Sequence, residues 1–281
     1  MERIRKALEQ ASRDRAQTFG ETRPAIAASG ATQADLSTGV RYTYTKTVEV
    51  PERVLVENRL IAAVPGHEFK DAYRMLRTRV LQSMRENHWT SLAVTGPASG
   101  CGKTLTAINL AISLAMEVTH TVLLVDLDLR KPSIHEYFGY QPEYGLGDYL
   151  IRDIPIQQIL FTPSIERLVV LPGREVIQNS SEMLRSPKMV ALVSELKHRY
   201  PDRLIVFDLP PILAADDALA FAPYTDAMLL VAETGGTSRD DLQKALEVLK
   251  SAPVIGTVLN KAYAPRGGYG YYAKQRAARK N

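Results

Sequence analysis

The sequence predicts an α/β protein, a mainly parallel β-sheet flanked by helices on both faces, and three observations carry that expectation. Strand-like apolar runs alternate with helical stretches from about residue 90 onward, the pattern of a sheet covered on both sides. The run VTGPASGCGKTLTAINL over residues 94–110 reads as a buried strand, a glycine-rich loop and the first turns of a helix in direct succession. Two further apolar runs, VLLVDLDLRKP and LIVFDLPPIL, lead into aspartates. In open α/β sheets ligands sit beyond the carboxyl ends of strands.

Taken in order, Met1, Ile4, Leu8 and Ala11 recur at helical spacing among Arg3, Arg5, Lys6, Arg13 and Arg15, so residues 1–16 read as a short basic amphipathic helix. Residues 18–47 are rich in Ala, Thr, Ser and Gly, bury too little to offset the entropy of ordering, and read as a linker. Phe69, Tyr73, Leu76, Val80 and Met84 set a helix over 67–85. Strands are expected at 91–94, 121–125, 167–171, 204–207, 227–231 and 254–259, with helices at 103–116, 187–199 and 238–251. The pattern stops after Lys261. The chain thus divides into a basic N-terminal segment over 1–50, a core domain over 51–262 and a mobile tail over 263–281.

Composition narrows the class. With 281 residues, 45% apolar and 23% charged, the chain suits one sizeable core with appendages. No apolar run approaches the ~18 residues of a membrane span, and MERIRKALEQ lacks the apolar block of a secretory signal, so a cytoplasmic protein is expected. Cys101 is the only cysteine, which excludes an internal disulfide and a cysteine-cluster metal site. The formal charge is only +4, yet the tail carries Arg266, Lys274, Arg276, Arg279 and Lys280 and no acid. Such a tail suits a membrane surface, a nucleic acid or an acidic partner, or simply stays solvated.

In the loop, Gly96, Ala98, Ser99, Gly100, Cys101 and Gly102 lead into Lys103, Thr104 and Leu105 at the mouth of the 103–116 helix. A loop of this kind turns amide N–H groups toward phosphate oxygens, and the helix N-terminus adds positive potential. Lys103 reaches the outer phosphates and Thr104 ligates magnesium, so the expected fold is that of a P-loop nucleoside-triphosphate-binding protein. The strict pattern has Gly six residues before the lysine, where Pro97 stands; Gly96 lies one place earlier. A lysine aimed at phosphate is not expected to belong to the core, so its loss should leave folding intact. Cys101 is open to two readings, a reactive thiol near a helix start or a small side chain that fits the loop.

Asp126 and Asp128 follow a buried strand two residues apart, on one side of the chain if it stays extended. Asp208 ends another strand, stopped by Pro210 and Pro211. All three should converge with the phosphate loop. There carboxylates hold magnesium directly or through water, and one accepts a proton from an attacking hydroxyl. Away from such a loop an Asp after a strand is usually a turn or a cap.

From about Glu68 to the C-terminus, GPASGCGKT, VLLVDLDLRKP, LIVFDLPPIL and the tyrosine-bearing tail together resemble the bacterial tyrosine kinases of capsule and exopolysaccharide systems. The basic N-terminus and tail order are most similar to stand-alone kinases that accompany polysaccharide chain-length or exosortase-linked loci. The resemblance implies ATP and Mg2+ as cofactors, with Lys103 and Thr104 on the phosphates and the metal, Asp126 and Asp208 supporting the metal, and Asp128 as base for a tyrosine hydroxyl. It implies autophosphorylation at Tyr269, Tyr271 and Tyr272, with Tyr263 nearer the core. It further implies a ring-like homo-oligomer, activation by a transmembrane polysaccharide chain-length or co-polymerase protein at the inner membrane, a protein tyrosine phosphatase as counterpart, and no nucleic acid. Asn260 is similar to the residue that reads the adenine edge in related ATPases, and a strand-end cap explains it equally. The family's Glu-x-x-Arg-x-x-Arg subunit-contact motif stands here as Asp71, Arg74 and Arg77, the acid one methylene shorter; a solvated charged helix face is the plainer reading.

Two functions compete with an ATP-dependent tyrosine autokinase that regulates polysaccharide polymerisation or export. Positioning and partition-type ATPases carry a lysine five residues before the loop lysine, where this chain has Ala98. A nucleotide-binding scaffold with little catalysis would keep every motif.

Overall fold

An eight-stranded sheet runs through the computed structural model, which describes residues 45–117, 119–199 and 202–262. The N-terminal basic helix, most of the linker and the tyrosine tail lie outside the described residues. The strands are β1 Lys46–Thr47, β2 Ser91–Thr95, β3 Thr121–Asp126, β4 Phe161–Thr162, β5 Leu168–Leu171, β6 Arg203–Asp208, β7 Ala227–Glu233 and β8 Val254–Asn260, in the spatial order β1-β4-β5-β3-β6-β2-β7-β8. From β5 to β8 all neighbours pair parallel. Only β4 runs antiparallel to β5, and β1 follows β4.

Parallel neighbours need crossovers, and helices supply them. They are α1 Glu52–Glu57, α2 Lys70–Glu86, α3 Lys103–Ala115, α4 Ile134–Tyr137, α5 Leu146–Arg152, α6 Ile156–Ile159, α7 Ser180–Leu184, α8 Pro187–His198, α9 Asp217–Phe221 and α10 Arg239–Val248. Along β3, Val122 and Leu124 face α2 and α3, where Met84, Ile108 and Ile112 pack, whereas Leu123 and Val125 face Met189, Leu192 and Phe221 of α8 and α9. This period-two division between two apolar layers is why β2, β3 and β6 read as continuous apolar runs. In α3 every residue except Leu105 is buried, so its Ala, Leu and Ile content reflects a helix enclosed on all sides. Ser186 caps α8 by accepting from Met189 N at 3.2 Å, with Pro187 at the first turn, which fixes where that helix begins.

Register sets up the site. Asp126 pairs with Asp208 across β3 and β6, and Val94 of β2 pairs with Asp208 on its other side. Three central strands therefore end at one level, beneath the loop that leads into α3.

The six expected strands all form, within a residue or two of their expected ends. The linker is shorter than composition suggests. Lys46 and Thr47 pair with Phe161 and Thr162, Val48 N donates to Thr162 O at 2.8 Å, and Val48 and Val50 pack on the core, so the folded region begins before residue 51. Main-chain pairing at a sheet edge leaves little trace in side-chain composition. The helix expected from 67 starts at Lys70, because residues 60–69 turn before it.

Candidate active site

Two glycines give the loop its shape. Gly100 and Gly102 adopt φ 84 and φ 90, left-handed values that side chains rarely tolerate, and Gly102 opens α3. A Cβ on Gly102 would stand 2.0 Å from Asn260 Nδ2, and one on Gly96 would stand 2.3 Å from Cys101 Sγ. Gly96 thus occupies the tight place that the strict pattern gives to the next residue. Ala98, Ser99 and Gly100 are exposed and Leu105 is half-buried. Cys101 is buried and burial pushes its thiol above the usual range, so it is a packing residue rather than a reactive thiol.

Lys103 and Thr104 are buried, and the Lys103 ammonium donates to Asp128 Oδ2 at 2.7 Å and to Thr104 Oγ1 at 3.2 Å, with Asp208 Oδ1 at 3.8 Å. Burial alone would lower the Lys103 pKa; Asp208 and Asp128 outweigh it and hold the ammonium above its ordinary range. The expectation that this lysine stands apart from the core is corrected by that geometry: its charge neutralises an acidic cluster inside the protein.

The three acids differ in what the fold already asks of them. Asp126 Oδ2 accepts from Ser133 N at 2.9 Å and Ile134 N at 3.0 Å, binding the turn before α4, and its Oδ1 accepts from Asp128 N at 3.3 Å. Burial, and then the Asp208 charge, hold Asp126 above the usual carboxylate range against those donors. Asp128 Oδ1 accepts from Lys131 N at 3.1 Å, leaving Oδ2 to Lys103. Asp208 is fully buried; its nearest charge partner is the Lys103 ammonium at 3.8 Å, the Thr104 hydroxyl lies close by, and neither oxygen makes a direct hydrogen bond of good geometry among the described residues. Burial raises its pKa, with the Lys103 charge and the Thr104 hydroxyl pulling the other way. Buried polar atoms without partners are rare. A buried carboxylate so short of donors, beside a threonine hydroxyl and a phosphate-type loop, fits a hard divalent cation such as Mg2+. Among the described residues no group of three or more His, Cys, Asp or Glu is arranged for a metal, and magnesium characteristically takes one or two carboxylates plus substrate phosphates and water.

Asn260 closes the other side. Its Nδ2 donates to Cys101 O at 3.0 Å and its Oδ1 accepts from Lys261 N at 2.8 Å, so the strand-end residue clamps the loop from β8 and retains one N–H and one lone pair. The loop after β6 is stitched to the phosphate loop as well, through Leu209 N to Val94 O and Ile212 N to Gly96 O, each 2.9 Å.

Of the assembly motif, Asp71 and Arg74 pair at 2.9 Å on the surface. Arg77 does not share their face: it turns inward, donating to Ser113 O at 3.2 Å and pairing with Glu117 at 3.1 Å, where it ties α2 to the end of α3. Spacings of three and six residues share a face only loosely, and a long side chain decides its own direction. Sequence reasoning missed Arg130, whose Nε donates at 2.9 Å to the fully buried Asp217 and so links the turn after Asp128 to α9. A paired Asp216-Asp217 downstream of a proline stop was the available signal. The Ser133 and Ile134 amides left none, since backbone donors have no side-chain signature.

Fold and site together define a nucleotide-binding α/β protein of the P-loop class, and the profile of the CobQ/CobB/MinD/ParA nucleotide binding domain matches residues 92–272. Within that class, the tyrosine-protein kinase YwqD of Bacillus subtilis strain 168 is 32% identical over 205 residues, 72% of this chain and 85% of that one. The putative tyrosine-protein kinase EpsB of Ralstonia nicotianae is 31% identical over 214 residues, of which this chain spans only 28% of the length. The crystal structure of the chimerical protein CapA2B2 superposes with a TM-score of 0.68 at 25% identity, covering 78% of this chain and 94% of that one. The chain belongs to the bacterial tyrosine-protein kinase family.

Proposed function

We propose that the chain moves the terminal phosphoryl group of ATP to tyrosine hydroxyls, its own tail tyrosines Tyr269, Tyr271 and Tyr272 among them, and through that regulates capsule or exopolysaccharide assembly. The observation that carries the mechanism is the 2.7 Å pair between Lys103 and Asp128 beside the fully buried Asp208 carboxylate. The residues that would hold Mg2+ are Thr104, Asp126 and Asp208, and the ion supplies neutralisation of phosphate charge. The loop from Gly96 to Leu105 binds and orients the phosphates, and Asn260 offers its free N–H on the base side. Lys103 then exchanges Asp128 for phosphate oxygen. Asp128 is left as a free carboxylate two residues from Asp126, placed to accept the proton of a tyrosine hydroxyl as it attacks.

Among the described residues no helix is long and apolar enough to cross a membrane. A membrane protein of the chain-length type is the activator this reading assigns, supported by the likeness to a chimera whose name joins CapA2 and B2, and a tyrosine phosphatase would reverse the reaction. The folded core from residue 45 to 262 would carry the chemistry and the two ends its regulation. Assembly through Asp71 and Arg74 would bring a neighbour's tail to the site. The test mixes full-length Asp128→Asn protein with active protein whose Tyr269, Tyr271 and Tyr272 are Phe, in magnesium and ATP. Phosphate on the tail of the Asp128→Asn chain supports transfer between subunits. Its absence, under conditions in which unaltered protein labels itself, removes that part of the reading.

A further inference from the structure

The segment that carries the candidate base is tied to its surroundings by both backbone and side chain. Leu127 N donates to Asp208 O and Ile177 N donates to Leu129 O, each at 2.9 Å, and both leucine side chains are buried. Lys131 N donates to Asp128 O at 3.0 Å and to Asp128 Oδ1 at 3.1 Å, closing a turn round the aspartate itself. The side-chain tie comes from Arg130. Its Nε donates to Asp217 Oδ2 at 2.9 Å, and its Nη2 stands 3.7 Å from Asp216 Oδ1.

Asp217 is fully buried, its Oδ1 has no partner among the described residues, and the cation that answers its charge is Arg130. A carboxylate taken out of water needs a paired, hydrogen-bonded cation, so this contact is a fixed point and not a passing surface pair. What it joins gives it a role. Asp217 opens α9, nine residues after Asp208, and the loop between them is stitched to the phosphate loop by Ile212 N to Gly96 O at 2.9 Å and Leu213 N to Pro97 O at 3.3 Å. Arg130 stands two residues after Asp128. It therefore braces the segment that carries Asp126 and Asp128 against the segment that follows Asp208, the two segments whose relation sets how the acids stand round Lys103.

We propose that Arg130 is a positioning residue for phosphoryl transfer: anchored on Asp217, it keeps Asp128 where it takes the proton of the tyrosine hydroxyl. The proposal rests on the tyrosine-kinase reading, and the experiment separates the two. A reacting group misplaced by about 1 Å costs up to about a hundredfold in rate. Among the described residues Arg130 pairs with Asp216 and Asp217 and with no residue of the phosphate loop, so its loss bears on the transfer step and leaves nucleotide binding in place.

The test compares full-length unaltered protein with Arg130→Ala, Arg130→Lys and the double variant Arg130→Ala/Asp217→Asn. The measurements are thermal unfolding, affinity for a non-hydrolysable ATP analogue in magnesium, kcat and KM for transfer to the tail peptide GGYGYYAKQ, and amide hydrogen exchange over residues 127–134. Arg130→Ala should lower kcat about tenfold or more at unchanged analogue affinity and peptide KM, and should speed exchange over 127–134 about tenfold while α3 exchanges as before. Arg130→Lys, which keeps a cation and a donor, should recover part of both. Arg130→Ala leaves Asp217 buried and unpaired, so the double variant guards against loss of the fold: with the charge gone it should unfold near the unaltered temperature and still show the slower transfer and the faster exchange. An unchanged kcat overturns the proposal. A lower kcat with unchanged exchange overturns it too, by making Arg130 a direct contact of the reacting groups, and so does a matching loss of analogue affinity in the double variant, which marks a plain structural tie. If the unaltered protein labels no peptide, the kinase reading fails, while the exchange arm still decides whether Arg130 holds the Asp128 turn.

Discussion

Replacing Lys103 by Met keeps the length of the side chain and removes the one cation within ion-pair reach of Asp128 and Asp208 among the described residues. Removing one partner of a buried pair costs about 3–5 kcal/mol, because the remaining charge is left uncompensated. Asp208 is fully buried and the Lys103 side chain is 11% exposed, so little of that is screened by solvent. Protonation offers partial relief, and its sign follows from the raised pKa values of Asp126 and Asp208. A carboxyl whose folded pKa lies above its unfolded value contributes stability below the unfolded pKa, and that contribution is lost as pH rises through the folded one. Without Lys103 both folded values climb further. The deficit should therefore be small near about pH 5 and still be growing at about pH 8, where up to 3–5 kcal/mol lowers Tm by up to roughly 6–20 °C in a chain of this size. Nucleotide affinity should fall about ten- to hundredfold with it. Thermal unfolding in chelator at both pH values, with a fluorescent nucleotide titration, measures each. A Tm at high pH equal to that of the unaltered protein would refute the idea that this ammonium neutralises the cluster.

The same electrostatics make Asp208→Asn stabilising in the absence of metal near about pH 8, by about 1 kcal/mol or more, since it removes one of three carboxylates crowded round the single Lys103 ammonium, a fully buried one that repels Asp126. Magnesium-dependent nucleotide binding should vanish; a protein destabilised by the change would show that the Lys103 pairing outweighs the repulsion among the carboxylates. Arg77→Ala should lower stability by about 1–3 kcal/mol by leaving Glu117 and Ser113 O unanswered, with unchanged sedimentation, whereas Arg74→Ala should shift assembly toward monomer. The opposite pattern would return Arg77 to the subunit contact. Gly102→Ala should lose nucleotide binding, because its Cβ would meet Asn260 Nδ2 at 2.0 Å and φ 90 is strained for Ala. Asn260→Ala in the same chain should restore part of the binding, and no restoration would mean that backbone strain alone is responsible.

The central strands were readable because being buried on both faces forces an unbroken apolar run, as in VLLVD and LIVFD, and the phosphate loop because glycine alone takes its backbone angles. What the sequence did not display is how the pieces face one another. Asp126 and Asp208 sit side by side through a register between strands more than seventy residues apart, and no local pattern encodes that. Lys103 reads as a solvent-facing phosphate ligand until the three carboxylates are assembled round it. Arg77 reads as a third member of a charged stripe until its side chain is seen against Ser113 and Glu117. β1 and residues 58–62 owe their order to hydrogen bonds with the Thr162 carbonyl, the Ser164 hydroxyl and the Asn109 amide, which leave no periodicity to detect.

The most direct test of the central claim is to incubate the full chain with magnesium and terminally labelled ATP, and to measure phosphotyrosine and free phosphate in the same tube. Phosphotyrosine that maps to Tyr269, Tyr271 and Tyr272 is expected. Asp128→Asn should slow its formation by about 10²–10⁴ while nucleotide affinity stays within a few fold. Release of free phosphate with no phosphotyrosine on any chain would mark an ATPase switch instead, and would contradict a tyrosine kinase built on Asp128.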